Sequence, residues 1–218
     1  MSGTVSFLYY IVLKNNYDNI AWFYDRLSRS IFGNAQINAQ LYLLHAIPPH
    51  TSIVIVGGGT GWILEEITRI HPSGLTITYI DASSKMMALA KKRNIGENKV
   101  TFIVSPVEEV VFDSKYDVAL TPFFFDNFKD DSLQKIFAYI DAHLSNKSIW
   151  LYCDFQNTGN LWHGAVLKIM YVFFRLSCGI EAAHLPDIES CFIRHHYRSL
   201  AQKTFLKGFI VSGIYERG

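Results

Sequence analysis

The stretch Val54-Ile-Val-Gly-Gly-Gly-Thr-Gly61 (54–61) decides the fold. An apolar, β-branched run, SIVIVG (52–57), enters a cluster of glycines, and a helical pattern, ILEEITRI (63–70), leaves it. A continuous apolar run reads as a strand buried on both faces. Glycines at a strand-to-helix turn let a ligand approach the backbone, and the helix that follows offers unpaired N–H groups and a positive dipole end. In an open α/β sheet, ligands bind outside the carboxyl ends of the strands.

Downstream, strand patterns at LTITYID (75–81), VTFIVS (100–105), YDVALTPFFF (116–125) and SIWLYCDF (148–155) alternate with helical patterns at 83–94 and 130–144. Ser83 or Ser84 is the expected N-cap of the first of these helices. This alternation predicts an α/β fold with a largely parallel sheet. Upstream, helical spacing over 17–32 and 35–47 ends at Pro48-Pro49. The aromatic stretch 161–180 predicts an amphipathic helix, and another short helical stretch runs from Pro186 to about His196. SLAQKTFL (199–206) and FIVSGIYER (209–217), separated by Lys207-Gly208, predict an antiparallel hairpin at the sheet edge.

Composition bounds the function. The chain has 218 residues, 50% hydrophobic and 18% charged, which excludes disorder and gives one sizeable core. A net charge of +1 does not support a nucleic-acid footprint. Cys153, Cys178 and Cys191 fit no zinc or disulfide spacing, so the expected compartment is reducing and cytoplasmic. Residues 5–13 (VSFLYYIVL) lack the features of a secretory signal and read as a buried or docking segment. Lys168 and Arg175 interrupt the 161–180 stretch on one helical face, against a membrane span.

The ligand is narrowed by elimination. A dinucleotide fingerprint would need glycine at Trp62 or Leu64, and a phosphate loop would need a nearby lysine, so both drop back. Asp81, ending the next strand 20 residues beyond Gly61, can accept two hydrogen bonds from a ribose diol or serve as a helix cap.

With these motifs the chain resembles the class I S-adenosylmethionine-dependent methyltransferases over about residues 15–218. The strongest carriers are VIVGGGTG (54–61) and YIDASSKMMALAKKR (79–93), and YDNIAWFYDRLS (17–28) is similar to the leading helix of the ubiquinone/menaquinone-biosynthesis type. The resemblance implies a Rossmann-like seven-stranded sheet closed by the C-terminal hairpin, with helices on both faces. It divides a single domain, 1–218, into an N-terminal helical cap (1–50), a cofactor core (51–155), a helical lid (156–197) and the hairpin (198–218). S-adenosylmethionine is the implied cofactor. By position, Gly57, Gly59 and Gly61 would pass under its methionine part, and Asp81 would hold the ribose. Ala82 and Met86 would border the adenine, with Ser105, Pro106 and Val107 as its other wall. Thr121, Pro122 and Phe123 would sit beside the methyl group, and Tyr17 and Tyr24 would close over it.

Two positions depart from the family pattern. Ile55 stands where an acidic residue is frequent, and Pro106, beside Ser105, stands where an Asp often meets the adenine amino group. The triple glycine is also similar to polyamine synthases, so aminopropyl transfer is a minor alternative.

Methyl transfer from a sulfonium asks mainly for alignment, and for a base only when the acceptor must lose a proton. Asp126, Asp154 and His163 are the candidates for that base, with Asn127 and His184 nearby; each is also readable as a turn, cap or core residue. No metal pair is expected at His195-His196. The aromatic residues Phe123, Phe124, Phe125, Phe128, Trp162, Met170, Tyr171, Phe173 and Phe174 predict an apolar pocket for a small aromatic or lipid-like acceptor. A non-catalytic cofactor-binding partner of the same fold, and a protein with weak contact to a membrane surface through 5–13 and 161–180, are the competing readings.

Overall fold

The computed structural model describes residues 17–180 and 182–218. The segment 5–13 therefore lies outside the described residues. Seven strands form one sheet: β1 (Ser52–Val56), β2 (Ser73–Asp81), β3 (Glu97–Val104), β4 (Tyr116–Pro122), β5 (Leu144–Phe155), β6 (Tyr197–Phe205) and β7 (Ile210–Arg217). Their order is β3-β2-β1-β4-β5-β7-β6. The first five are parallel, and β7 inserts antiparallel between β5 and the edge strand β6. The hairpin turn is longer than the sequence suggested. Leu206 and Phe209 join Lys207-Gly208 in the loop, and Leu206, Lys207 and Gly208 all take positive φ.

Side-chain alternation along each strand splits the core into two layers. Ile53 and Ile55 of β1 join one layer and Val54 and Val56 the other. The first layer is covered by α1 (Tyr24–Phe32), α2 (Ala35–Leu44), α3 (Trp62–Ile70) and α6 (Leu161–Cys178). The second is covered by α5 (Asp130–Ala142) and α7 (Ile188–Arg194). α4 (Ser84–Ala90) follows β2, with Ser83 as N-cap accepting from the Met86 N–H at 3.1 Å.

The second layer is an aromatic stack. Phe137 lies on Trp150 with ring centroids 4.3 Å apart, and Phe192 on Tyr215 at 3.8 Å. The indole N–H of Trp150 needs a buried acceptor and finds the Thr121 hydroxyl at 2.9 Å. This bond gives Thr121 a structural place in the core, where it is fully buried.

Parallel order around β1 and β4 brings the loops after β1, β2, β3 and β4 to one end of the sheet. The segment 17–32 lies across that end. A single 3-10 turn at Tyr17–Asn19 precedes α1, so the helix expected over 17–32 is broken at residues 20–23. The break frees Asp18 to point at the start of α4, where it accepts from the Ser83 hydroxyl at 2.6 Å and the Lys85 N–H at 3.0 Å.

Candidate functional site

The β1–α3 turn makes the floor of a cleft. Gly57 has a φ of +69°, and a Cβ there would fall 2.6 Å from the Phe124 ring. Gly61, φ +77°, serves packing instead: a Cβ would meet the Cα of Ala90 at 2.6 Å, so this glycine lets α4 approach α3. Gly61 does not line the cleft, and neither does the buried Thr121. In this structure both positions serve packing and neither is on the cleft lining.

The other cofactor residues expected from sequence converge. Gly57 and Gly59 form the floor, and Asp81, Ala82 and Met86 form one side. Ser105, Pro106 and Val107 stand after β3, Pro122 and Phe123 at the end of β4, and Tyr17 and Tyr24 overhead. The cleft encloses about 1290 Å³, part of it continuous with solvent.

Asp81 locks the turn. One carboxylate oxygen accepts the Gly59 N–H and the other the Ser83 N–H, each at 2.8 Å. Burial pushes its carboxyl above the ordinary value against the pull of those two bonds. Asp81 is therefore not the helix cap, a role taken by Ser83. Each oxygen keeps a second lone pair, and the residue faces the cleft.

Sequence reasoning missed the acids that fasten the N-terminal cap. Asp25 of α1 takes the Thr60 hydroxyl on both carboxylate oxygens at 3.0 Å, with Arg93 at 3.5 Å. Together with Asp18 it ties 17–32 to the glycine turn and to α4. Nothing local in the sequence marks either residue, because both partners lie 35 or more residues away. Gln36 and Gln40 of α2, also missed, are buried polar side chains on the cleft wall.

A second cleft, about 710 Å³, adjoins the first. The two share Tyr17, Tyr24, Ser28, Gln36 and Phe123. Met170, Phe173 and Phe174 of α6 line the second, with Phe32 and Phe155. Phe124 and Phe128 face the first cleft instead, Phe125 and Tyr171 lie in the core, and Trp162 is exposed. Phe123 stands between the clefts at φ +50°, a left-handed conformation that costs a bulky residue about 1–3 kcal/mol.

Asp126 supplies the one carboxyl of the second cleft among the described residues, and no lysine or arginine lines it there. Burial, reinforced by the neighbouring Asp154, pushes the Asp126 carboxyl well above the usual range. Asp154 itself lines neither cleft. It is buried and accepts three backbone N–H groups, from Phe125 at 3.1 Å, Asp126 at 3.2 Å and Phe155 at 2.8 Å. Burial lifts its carboxyl to about 7, opposed by those bonds. Asp154 thus holds the backbone of the turn that carries Asp126. His163 also leaves the list of bases: it is buried, bonded to the Thr158 hydroxyl, and stacked on Phe209 at 4.6 Å, away from both clefts. His184 is exposed. Asn127 instead joins the N-terminal cap to the site, its side-chain oxygen accepting the Tyr17 hydroxyl while its amide donates to Asp126 at 2.8 Å. Among the described residues there is no cluster of metal-ligating side chains.

Residues 53–147 match the family described as a methyltransferase domain. Over these residues the chain is similar to the class I S-adenosylmethionine-dependent methyltransferases. It is 29% identical over 152 residues to a malonyl-[acyl-carrier protein] O-methyltransferase of Bacillus cytotoxicus, covering 67% of this chain and 50% of that protein. It is also 29% identical over 124 residues to a demethylmenaquinone methyltransferase of Porphyromonas gingivalis, covering 54% and 50%. The chain spans about half the length of these curated relatives. Among solved structures, the magnesium protoporphyrin IX methyltransferase of Synechocystis PCC 6803 superposes with a TM-score of 0.63 at 14% identity, over 84% of this chain and 83% of that one. A plantazolicin methyltransferase in complex with a desmethyl analogue and S-adenosylhomocysteine gives 0.65 at 17%, over 89% of each. At these identities the superpositions establish the fold of this chain.

The first cleft fits the family's cofactor. A Cβ at Gly59 would meet nothing within 4 Å, so the floor is open.

Proposed function

We propose that this methyltransferase moves a methyl group from S-adenosylmethionine in the first cleft to a small apolar or aromatic acceptor in the second. The sharing of Phe123, Tyr17 and Tyr24 by the two clefts carries this reading. When bound, the cofactor supplies an electrophilic methyl group on a good, neutral leaving group. The residues then have to align the acceptor and exclude water. Asp81 is assigned to the ribose, and Gly57 and Gly59 to the methionine part. Ala82, Met86 and the segment Ser105–Val107 are assigned to the adenine, where Pro106 and Ser105 offer backbone groups and one hydroxyl. Ile55 is buried in the core and provides no acid. Asp25, held over the glycine turn, is the carboxylate nearest in role to the missing one.

The charge of the second cleft selects among acceptors. A carboxylate acceptor would lose hydration there, meet no cation, and face Asp126. A neutral hydroxyl or activated carbon would find in Asp126 a proton acceptor at its ionised end point. The cleft thus favours the quinone-like acceptor named for the Porphyromonas relative over the malonyl group named for the Bacillus one.

Calorimetry with S-adenosylhomocysteine tests the cofactor half, with saturable micromolar binding expected. Absence of binding at millimolar ligand would instead support a non-catalytic partner subunit. The acceptor half is tested by competing neutral phenols against malonyl thioesters in a methyl-transfer assay, the phenols being expected to turn over.

A further inference from the structure

α6 is apolar on both sides. Its inner side buries Leu167, Met170, Tyr171 and Cys178 against the sheet. Its outer side presents Ile169, Val172 and Leu176 at three- and four-residue spacing, with Trp162 seven residues before Ile169; Ile169 is 70%, Val172 58% and Leu176 83% exposed. A helix that is hydrophobic all round is normally covered on all sides. The charges on α6 are cations alone: Lys168 and Arg175, both exposed and seven residues apart, with no acid anywhere in 161–178. Arg175 also donates to the Ala182 carbonyl at 3.2 Å. At the far end of the stripe Asn19 donates to the Ser177 carbonyl at 3.2 Å.

The stripe is continuous with the second cleft. Ile169 of α6 and Ile31 of α1 both line that cleft and are both exposed, so the cleft reaches the surface on this face. We propose that the outer side of α6 docks in the plane of an anionic lipid bilayer, with Trp162, Ile169, Val172 and Leu176 entering the acyl boundary and Lys168 and Arg175 meeting the headgroups. The helix is not a span: among the described residues none is long and apolar enough to cross a membrane. An acidic carrier protein would be held chiefly by charge, and two cations among four large apolar side chains point to the lipid instead. On the function proposed above, the second cleft then opens toward the lipid phase and draws an acceptor carrying a hydrocarbon tail.

Cosedimentation of the full chain with vesicles tests this. Vesicles of phosphatidylglycerol and phosphatidylcholine are expected to pellet the protein, pure phosphatidylcholine to pellet less, and high salt to weaken the difference. Val172→Glu/Leu176→Glu changes two exposed side chains that line neither cleft. It should lower vesicle partition at least about tenfold while the melting temperature and the S-adenosylhomocysteine Kd stay within error. A wild-type chain that remains in the supernatant with both vesicles overturns the proposal, as does a double variant that pellets like wild type. A dimer in sedimentation velocity, lost in the double variant and unaccompanied by vesicle binding, would assign the face to a second copy. Capture of an acidic acyl carrier protein without vesicle binding would assign it to that partner. Loss of S-adenosylhomocysteine binding with vesicle binding intact would overturn the function proposed above and leave the docking face standing.

Discussion

Asp154 accepts the backbone N–H of Asp126 at 3.2 Å, so one buried acid fixes the turn that carries another into the second cleft. The pair divides two tasks that sequence alone left to either residue. Asp154 spends its oxygens on three N–H groups. Asp126 keeps the freedom to exchange a proton with an acceptor.

Replacement of Asp126 by Asn should therefore lower kcat by about 10²–10⁴ for an acceptor that must lose a proton. The Kd for S-adenosylhomocysteine should stay within about twofold. In the wild type, kcat should rise with pH through the raised ionisation of Asp126, and that limb should vanish in the variant. A pH–rate profile on both proteins checks it, and an unchanged limb removes Asp126 from the chemistry.

The same pair makes stability depend on pH. In the unfolded chain Asp154 releases its proton near the ordinary 3.8, and in the folded chain near 7. Between those values the folded state holds a proton that the unfolded state has lost. This contribution is full below about pH 4 and declines as pH rises toward 7. Thermal melts across that window should show a falling Tm, and Asp126→Asn, which removes the second raised carboxyl of the pair, should flatten the fall.

The N-terminal cap should respond to a single acid outside the clefts. Asp18→Ala removes the acceptor for Ser83 and Lys85, a loss of about 1–3 kcal/mol for hydrogen bonds to a charged group. If the tie holds 17–32 closed over the cofactor, the S-adenosylhomocysteine Kd should weaken by roughly 5–100-fold, with little change in far-UV circular dichroism. Calorimetry distinguishes this from a purely structural role, in which Tm falls and Kd does not.

The sheet and the cofactor floor were legible because their signals are local. An apolar run, a glycine cluster and a carboxylate at the end of the next strand follow from strand period and turn chemistry. Thr121 and His163 misled because a polar residue at a strand end or on an apolar helix looks the same whether it faces a ligand or a Trp150 indole and a Phe209 ring. Asp18, Asp25 and the division of labour between Asp126 and Asp154 were invisible because each depends on contacts spanning 28 residues or more. The break at 20–23 was hidden for a related reason: helical spacing there is satisfied, and tertiary contacts of Asp18 override it.

Two glycines of one motif should separate binding from folding. Gly59 has open space where a Cβ would go, but its φ of +64° costs an L-residue about 1–2 kcal/mol. Gly59→Ala should thus lower Tm modestly and place a methyl group on the cofactor floor, weakening S-adenosylhomocysteine binding by at least about tenfold. Gly61→Ala should do the reverse. Its methyl would press on the Ala90 backbone at 2.6 Å, prising α4 from α3, so the loss should appear first in Tm, through overpacking of about 1–3 kcal/mol added to the left-handed strain. Melting and calorimetry on the two variants check the assignment. Equal losses in both would mean that the turn is one rigid piece, and that Gly59 cannot be singled out as the contact.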